Sequence, residues 1–177
     1  MKLARLWLLA VLLLHGAAYA AAPHIEAHVA GARLAGEGDF RWFGLKIYDA
    51  QLWVGKDGYQ AGNSPFALEL RYARTLYGAK IAESSRDEIR KLGLGSESEQ
   101  AAWLAAMRKL FPDVQEGSKI TGVYLPAKGA RFYFDGKALG EIADPQFARA
   151  FFAIWLDPKT SAPALRAALL REAAARP

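Results

Sequence analysis

Five side chains of the 177-residue sequence are of a type and placement to hold a small molecule: Arg33, Arg41, Tyr48, Tyr72 and Arg74. An arginine among aromatic rings can neutralise a carboxylate or a phenolate at the end of an apolar pocket, because its guanidinium offers a fixed fork of donors. The plainer alternative is an arginine at a strand edge stacked on a ring such as Trp42. Arg41 and Tyr48 are seven residues apart, so a regular strand points them to opposite faces. A bulge or bend, which Gly44 permits, would be needed to bring them into one pocket.

Other patterns offer less chemistry. His24 and His28 share a face in either a strand or a helix, but no third ligand lies near them in sequence, so they read as surface groups and no metal site is expected. The chain has no cysteine, which excludes thiol nucleophiles, disulfides and thiolate metal sites. No G-x-S-x-G elbow is present. Gly36-Glu37-Gly38 lacks the third glycine and the following helix of a dinucleotide loop, and glycines where a strand begins mark a bulge or a close backbone approach. Glu83 and Asp87 fall on the polar side of a helix, as a solvated face does. No catalytic residue is assignable from these patterns, and no cofactor is expected.

The elements that must position the five candidates alternate in period. Ile25 to Ala30 is a short candidate strand. Phe40 to Val54 reads as one long strand closed by Lys56-Asp57-Gly58. Phe66, Leu68, Leu70 and Tyr72 alternate with Ala67, Glu69 and Arg71, a strand with one wet face. A helix follows through Ile81, Ile89 and Leu92, stopped by Gly93 and Gly95. Ser96 and Glu99 form a capping box for a second helix, whose stripe of Trp103, Leu104, Met107, Leu110 and Phe111 ends at Pro112. Strands resume at Ile120–Leu125, and Asp135-Gly136 predicts a tight hairpin. Asp144-Pro145 starts a helix carrying Phe147, Phe151, Ile154 and Trp155. Ser161 is the expected cap of a last helix with Leu165, Leu169 and Leu170. The pattern is α+β, with helices on one face of a largely antiparallel sheet, in one domain over residues 23–172.

Residues 1–20 are read separately. Lys2 and Arg5 precede the apolar run Leu6 to Leu14, and Ala18-Tyr19-Ala20 supplies small residues for a peptidase. That run is about half the ~20 residues needed to span a bilayer. A cleaved secretion signal and a periplasmic location are therefore expected, with no membrane span left after cleavage. Cleavage removes two basic residues and no acidic one, lowering the net charge from +5 to +3. The remaining lysines and arginines are scattered, so nucleic acid is not an expected partner.

Three stretches together resemble the bacterial chalcone isomerase-like family. They are Gly36-Glu37-Gly38-Asp39-Phe40-Arg41-Trp42-Phe43-Gly44-Leu45-Lys46-Ile47-Tyr48-Asp49-Ala50, then Phe111-Pro112-Asp113-Val114 through Gly117 to Tyr124-Leu125-Pro126, and a C-terminal stretch. The last comprises Phe132-Tyr133-Phe134-Asp135-Gly136-Lys137, Leu139-Gly140, Asp144-Pro145, Phe147-Ala148, Ile154-Trp155-Leu156-Asp157-Pro158-Lys159-Thr160 and Leu165-Arg166. The resemblance implies an open-faced β-sandwich whose large antiparallel sheet is covered by helices. Plant relatives of that fold divide into isomerases, which close a chalcone to a flavanone, and non-catalytic members that bind fatty acids. In the enzymes an arginine just ahead of the long strand holds the attacking phenolate, helped by threonine, tyrosine and asparagine. Aligned without a gap on Gly44 and Tyr48, the chain has Gly38 at the arginine's place; Arg41 lies three residues later, and Arg33 reaches it only through a gap.

The resulting expectation is an exported, non-catalytic protein that binds a small apolar or aromatic ligand such as a fatty acid, with Arg41, Tyr48, Arg33 and Tyr72 as binding residues. The alternatives are an isomerase cyclising a chalcone-like phenol and a module that docks to an envelope protein. No particular protein partner is indicated.

Overall fold

The computed structural model describes residues 20–175, so the expected secretion signal lies outside the described residues apart from Ala20. Six strands form one antiparallel sheet: β1 (Arg33–Trp42), β2 (Leu45–Val54), β3 (Phe66–Tyr72), β4 (Lys119–Leu125), β5 (Gly129–Phe134) and β6 (Lys137–Ile142). Their order across the sheet is their order in the chain. Helices α2 (Gly78–Lys91) and α3 (Glu97–Leu110) form the long connection between β3 and β4, and α4 (Pro145–Leu156) and α5 (Pro163–Leu169) follow β6. The class is the one expected, an α+β open antiparallel sheet, with these four helices on one face.

Local signals account for several boundaries. The Ser96 hydroxyl accepts from the Glu99 amide, and the Glu99 carboxylate accepts from the Ser96 amide, a complete capping box for α3. Asp144 caps α4 by accepting from the Gln146 and Phe147 amides, with Pro145 at the first helical position. Its other oxygen accepts from the Trp103 indole at 2.8 Å, which fastens α3 to the start of α4. Gly36 falls at a register shift of β1, and a Cβ there would lie 2.1 Å from the Ala168 carbonyl oxygen, so α5 packs directly on the strand backbone.

The inner face of the sheet carries the main core. Phe132, Phe147, Leu52, Ile89, Met107 and Leu169 are essentially without solvent contact. Burying each such side chain stabilises the fold by about 1.5–3 kcal/mol. Phe147, Phe151 and Phe152 of α4 meet Phe132, Phe66 and Tyr124 of the sheet, mostly in tilted or edge-to-face contacts.

Four expectations need correction. Ile25 to Ala30 is not a strand: Pro23 opens a short helix, α1 (Pro23–Glu26), and the Glu26 carboxylate accepts from the Gly31 and Ala32 amides to close the turn behind it. Phe40 to Val54 is not one strand but the end of β1, a two-residue turn and β2. Phe43 (φ 47°) and Gly44 (φ 79°) are both left-handed, the form that matches strand twist in a tight hairpin. The outer face of β3 is only partly wet, because Ile25 and Val29 lie over Trp53, Ala67 and Val123; Ala67 is fully buried and Glu69 nearly so. Ser161 does not cap α5: its hydroxyl donates to Glu88, and the residue before the helix is Ala162.

Candidate ligand site

Register brings two of the sequence candidates together. Tyr48 on β2 and Tyr72 on β3 are directly paired across the sheet and point to the inner face. Their rings meet edge-on with centroids 6.0 Å apart. Phe40, the partner of Tyr48 on β1, stacks on it at 5.2 Å. From the helical layer, the Trp155 indole donates to the Tyr48 hydroxyl at 2.9 Å. Phe40, Tyr48, Tyr72 and Trp155 therefore form a continuous aromatic wall between the β1–β3 end of the sheet and α4.

The two phenols are kept protonated. Burial raises the pKa of Tyr48, opposed in part by the Trp155 hydrogen bond and reinforced to a lesser degree by the negative Glu88. Burial raises Tyr72 as well, with Tyr48 contributing. The Tyr72 hydroxyl has no hydrogen-bond partner among the described residues; the residue is 3% exposed, and its oxygen keeps part of that solvent contact. Such a wall can donate a hydrogen bond to a carbonyl or carboxyl group while packing its faces on an alkyl chain or a ring. It supplies no base and no fixed positive charge.

The arginines are elsewhere. Arg41 projects at the β1–β2 turn, where its Nε donates to Asp39 at 2.6 Å and an Nη donates weakly to the Gly44 carbonyl. Arg33 pairs with Val54 at the opposite end of β1, roughly 20 Å along the strand from Phe40 at the usual rise per residue. Its guanidinium donates to the carbonyls of Glu172 and Ala174, holding the C-terminal turn. Arg74 is exposed just beyond β3. The register shift between Phe40 and Arg41 turns the hairpin tip without carrying Arg41 to the phenols.

A second polar group lies on the outer face, and the sequence patterns did not single it out as one unit. Glu69 accepts from Lys119 Nζ at 2.8 Å and from the Thr121 hydroxyl at 3.1 Å, and His24 Nε2 lies 3.1 Å from the same hydroxyl. His28 Nε2 is 2.6 Å from the Tyr133 hydroxyl. The two histidines are thus packed against the sheet rather than free at the surface, and burial lowers the pKa of each. Beside them an open groove of about 590 Å³ is lined by Glu37, Gln51, Trp53, Glu69, Arg71 and Lys119, among others. Alternation assigns Glu69 and Thr121 to one face, but only the strand order makes them neighbours. Among the described residues there is no cluster of three metal-binding side chains, and no helix is long and apolar enough to cross a membrane.

Comparison with known proteins agrees with this architecture. Residues 22–171 match the family described as chalcone isomerase-like. An uncharacterized protein of Haemophilus influenzae is 27% identical over 135 residues, covering 76% of this chain and 66% of that protein, so the match spans slightly less than two thirds of the relative's length. The crystal structure of an Arabidopsis thaliana fatty-acid binding protein superposes with a TM-score of 0.62 at 13% identity, covering 83% of this chain and 91% of the other. At that identity the likeness is one of fold.

Proposed function

We infer that this chain, which belongs to the chalcone isomerase-like family, is a non-catalytic member that encloses a small apolar acid, of the fatty-acid type, between its sheet and helix α4. The observation that carries this reading is a pair of protonated phenols on one aromatic wall, of which Tyr72 keeps a hydroxyl with no partner among the described residues and with its oxygen still in solvent contact. That hydroxyl is free to donate to a ligand carboxyl or carbonyl, which would take the place of its contact with water. The Arabidopsis neighbour described as a fatty-acid binding protein supports the ligand class at the level of the fold.

Cyclisation of a chalcone-like phenol calls for a cation beside the phenolate. The two neutral phenols do not provide one, and Arg33 and Arg41 are engaged with C-terminal carbonyls and with Asp39. Binding is therefore the better-supported activity. Export to the periplasm belongs to the same proposal, supported by the signal-like pattern of residues 1–20.

Calorimetric titration with straight-chain fatty acids of increasing length tests the site. The expected result is saturable one-to-one binding, weakened by about 1 kcal/mol in Tyr72→Phe. Binding at no chain length, or binding indifferent to both Tyr72→Phe and Tyr48→Phe, would reject it.

A further inference from the structure

The two tight hairpins of the sheet share one turn geometry but not one residue choice. At β5–β6 the turn is Asp135 (φ 47°) and Gly136 (φ 79°); at β1–β2 it is Phe43 (φ 47°) and Gly44 (φ 79°). The first uses a residue type suited to the left-handed conformation, whereas a bulky aromatic there is strained. Phe43 packs only edge-on against its neighbour Trp42, with ring centroids 4.8 Å apart, and it is 88% exposed, so no core contact accounts for it. Its neighbours repeat the pattern: Trp42 is 63% exposed and Leu45, its cross-strand partner, 54%. No other pair of adjacent large apolar residues in the described chain is exposed in this way.

We propose that the β1–β2 tip inserts into an anionic lipid surface, with Trp42, Phe43 and Leu45 entering the interface and Arg41, Lys46 and Arg74 at the phosphate level. Arg41 and Lys46 are register partners one step behind the aromatic pair. Arg74 belongs to the same end of the sheet, because the preceding Ala73 amide donates to the Ile47 carbonyl. Two carboxylates face these cations, Asp39 on Arg41 and Asp49 on Lys46, both in exposed ion pairs that contribute little and exchange readily. Three cations against two anions leave the tip positive, as is the chain beyond residue 20.

Shape and area favour lipid over a protein partner. A two-residue turn is convex, and its three side chains expose on the order of 400–500 Å². A stable protein interface needs about 800 Å² from each partner. Interfacial binding needs only a few aromatic and aliphatic side chains next to basic groups. This inference stands apart from the ligand site, since neither Tyr48 nor Tyr72 takes part in it.

Trp42 makes the test direct, because Trp53, Trp103 and Trp155 are all buried. In a Trp7→Phe background, tryptophan emission is followed as phosphatidylglycerol–phosphatidylcholine vesicles are added, with pure phosphatidylcholine in parallel. The expected result is a blue shift that is stronger with the anionic vesicles. Phe43→Asp recreates the turn the chain uses at Asp135-Gly136, so it should keep or raise the melting temperature while weakening vesicle binding about tenfold. An unmoved emission overturns the proposal, and so does a shift of equal size in Phe43→Asp. Vesicle association without any blue shift overturns it too, because contact would then be through the cations alone.

Discussion

Trp155 and Tyr48 lie 107 residues apart in sequence and meet through a single hydrogen bond of 2.9 Å, the indole N–H donating to the phenol oxygen. That bond joins α4 to β2 at the aromatic wall and fixes which lone pairs Tyr48 still has to offer. Trp155→Phe keeps most of the ring and removes the donor. The expected cost is about 1–2 kcal/mol in urea unfolding, with Tyr48→Phe costing a similar amount by leaving the indole N–H unpaired.

Asp144 performs two tasks with two oxygens, capping α4 and accepting from Trp103. Asp144→Ala loses both and should destabilise the protein by about 2–3 kcal/mol. Asp144→Asn keeps a capping oxygen but turns an amide toward the Trp103 N–H, so roughly half of that loss should return. An Asp144→Asn variant as stable as the wild type would show that the tie to Trp103 contributes nothing, and equal losses in the two variants would show the same of the cap.

Gly36 is required by contact rather than by backbone angle. A methyl group there would fall 2.1 Å from one carbonyl oxygen of the α5 end and 2.5 Å from the next. Gly36→Ala must push α5 off the strand, and a loss of about 3 kcal/mol or more is expected. Gly44→Ala meets no such wall and acts only through its left-handed turn angle, so it should cost less.

The histidines of the outer face set a direction for pH dependence. Burial lowers both from the ordinary value of 6.5, opposed in His24 by Glu69 and reinforced by Lys119 and His28; in His28 Arg131 reinforces it. The folded state therefore binds fewer protons than the unfolded chain just below that value. Stability is fully present above pH 6.5 and declines as the pH falls through the lowered folded values. Thermal melts between pH 7.5 and 5.5 should show this decline, and replacing both histidines with glutamine should flatten it. A slope unchanged in that variant would assign the decline to other groups.

Features written in a few consecutive residues were legible in the sequence. Ser96 with Glu99, Asp144-Pro145 and Asp135-Gly136 each carry their geometry locally, and the alternation of Phe66 to Tyr72 set Tyr72 on the apolar side. The Phe43-Gly44 turn was missed because an aromatic residue at a left-handed position runs against the rule that identifies such turns. Helix α1 is too short to show a period. The candidate site was half legible: Tyr48 and Tyr72 were visible as types, but their pairing depends on register between strands. Trp155 against Tyr48, and His24 against Thr121 and Glu69, depend on the order of strands and layers, which no short stretch encodes. Arg41 and Arg33 lie apart from that pairing, because the hairpin tip and the C-terminal turn, unseen in one strand's alternation, claim their donors.

Native mass spectrometry of the protein as recovered from cells, with released small molecules identified, tests ligand binding most directly. The expected result is one apolar acid per chain in the wild type, with occupancy reduced in Tyr72→Phe. A clean apo mass for the wild type, remaining apo after incubation with fatty acids, would contradict a ligand site at the Tyr48–Tyr72 wall.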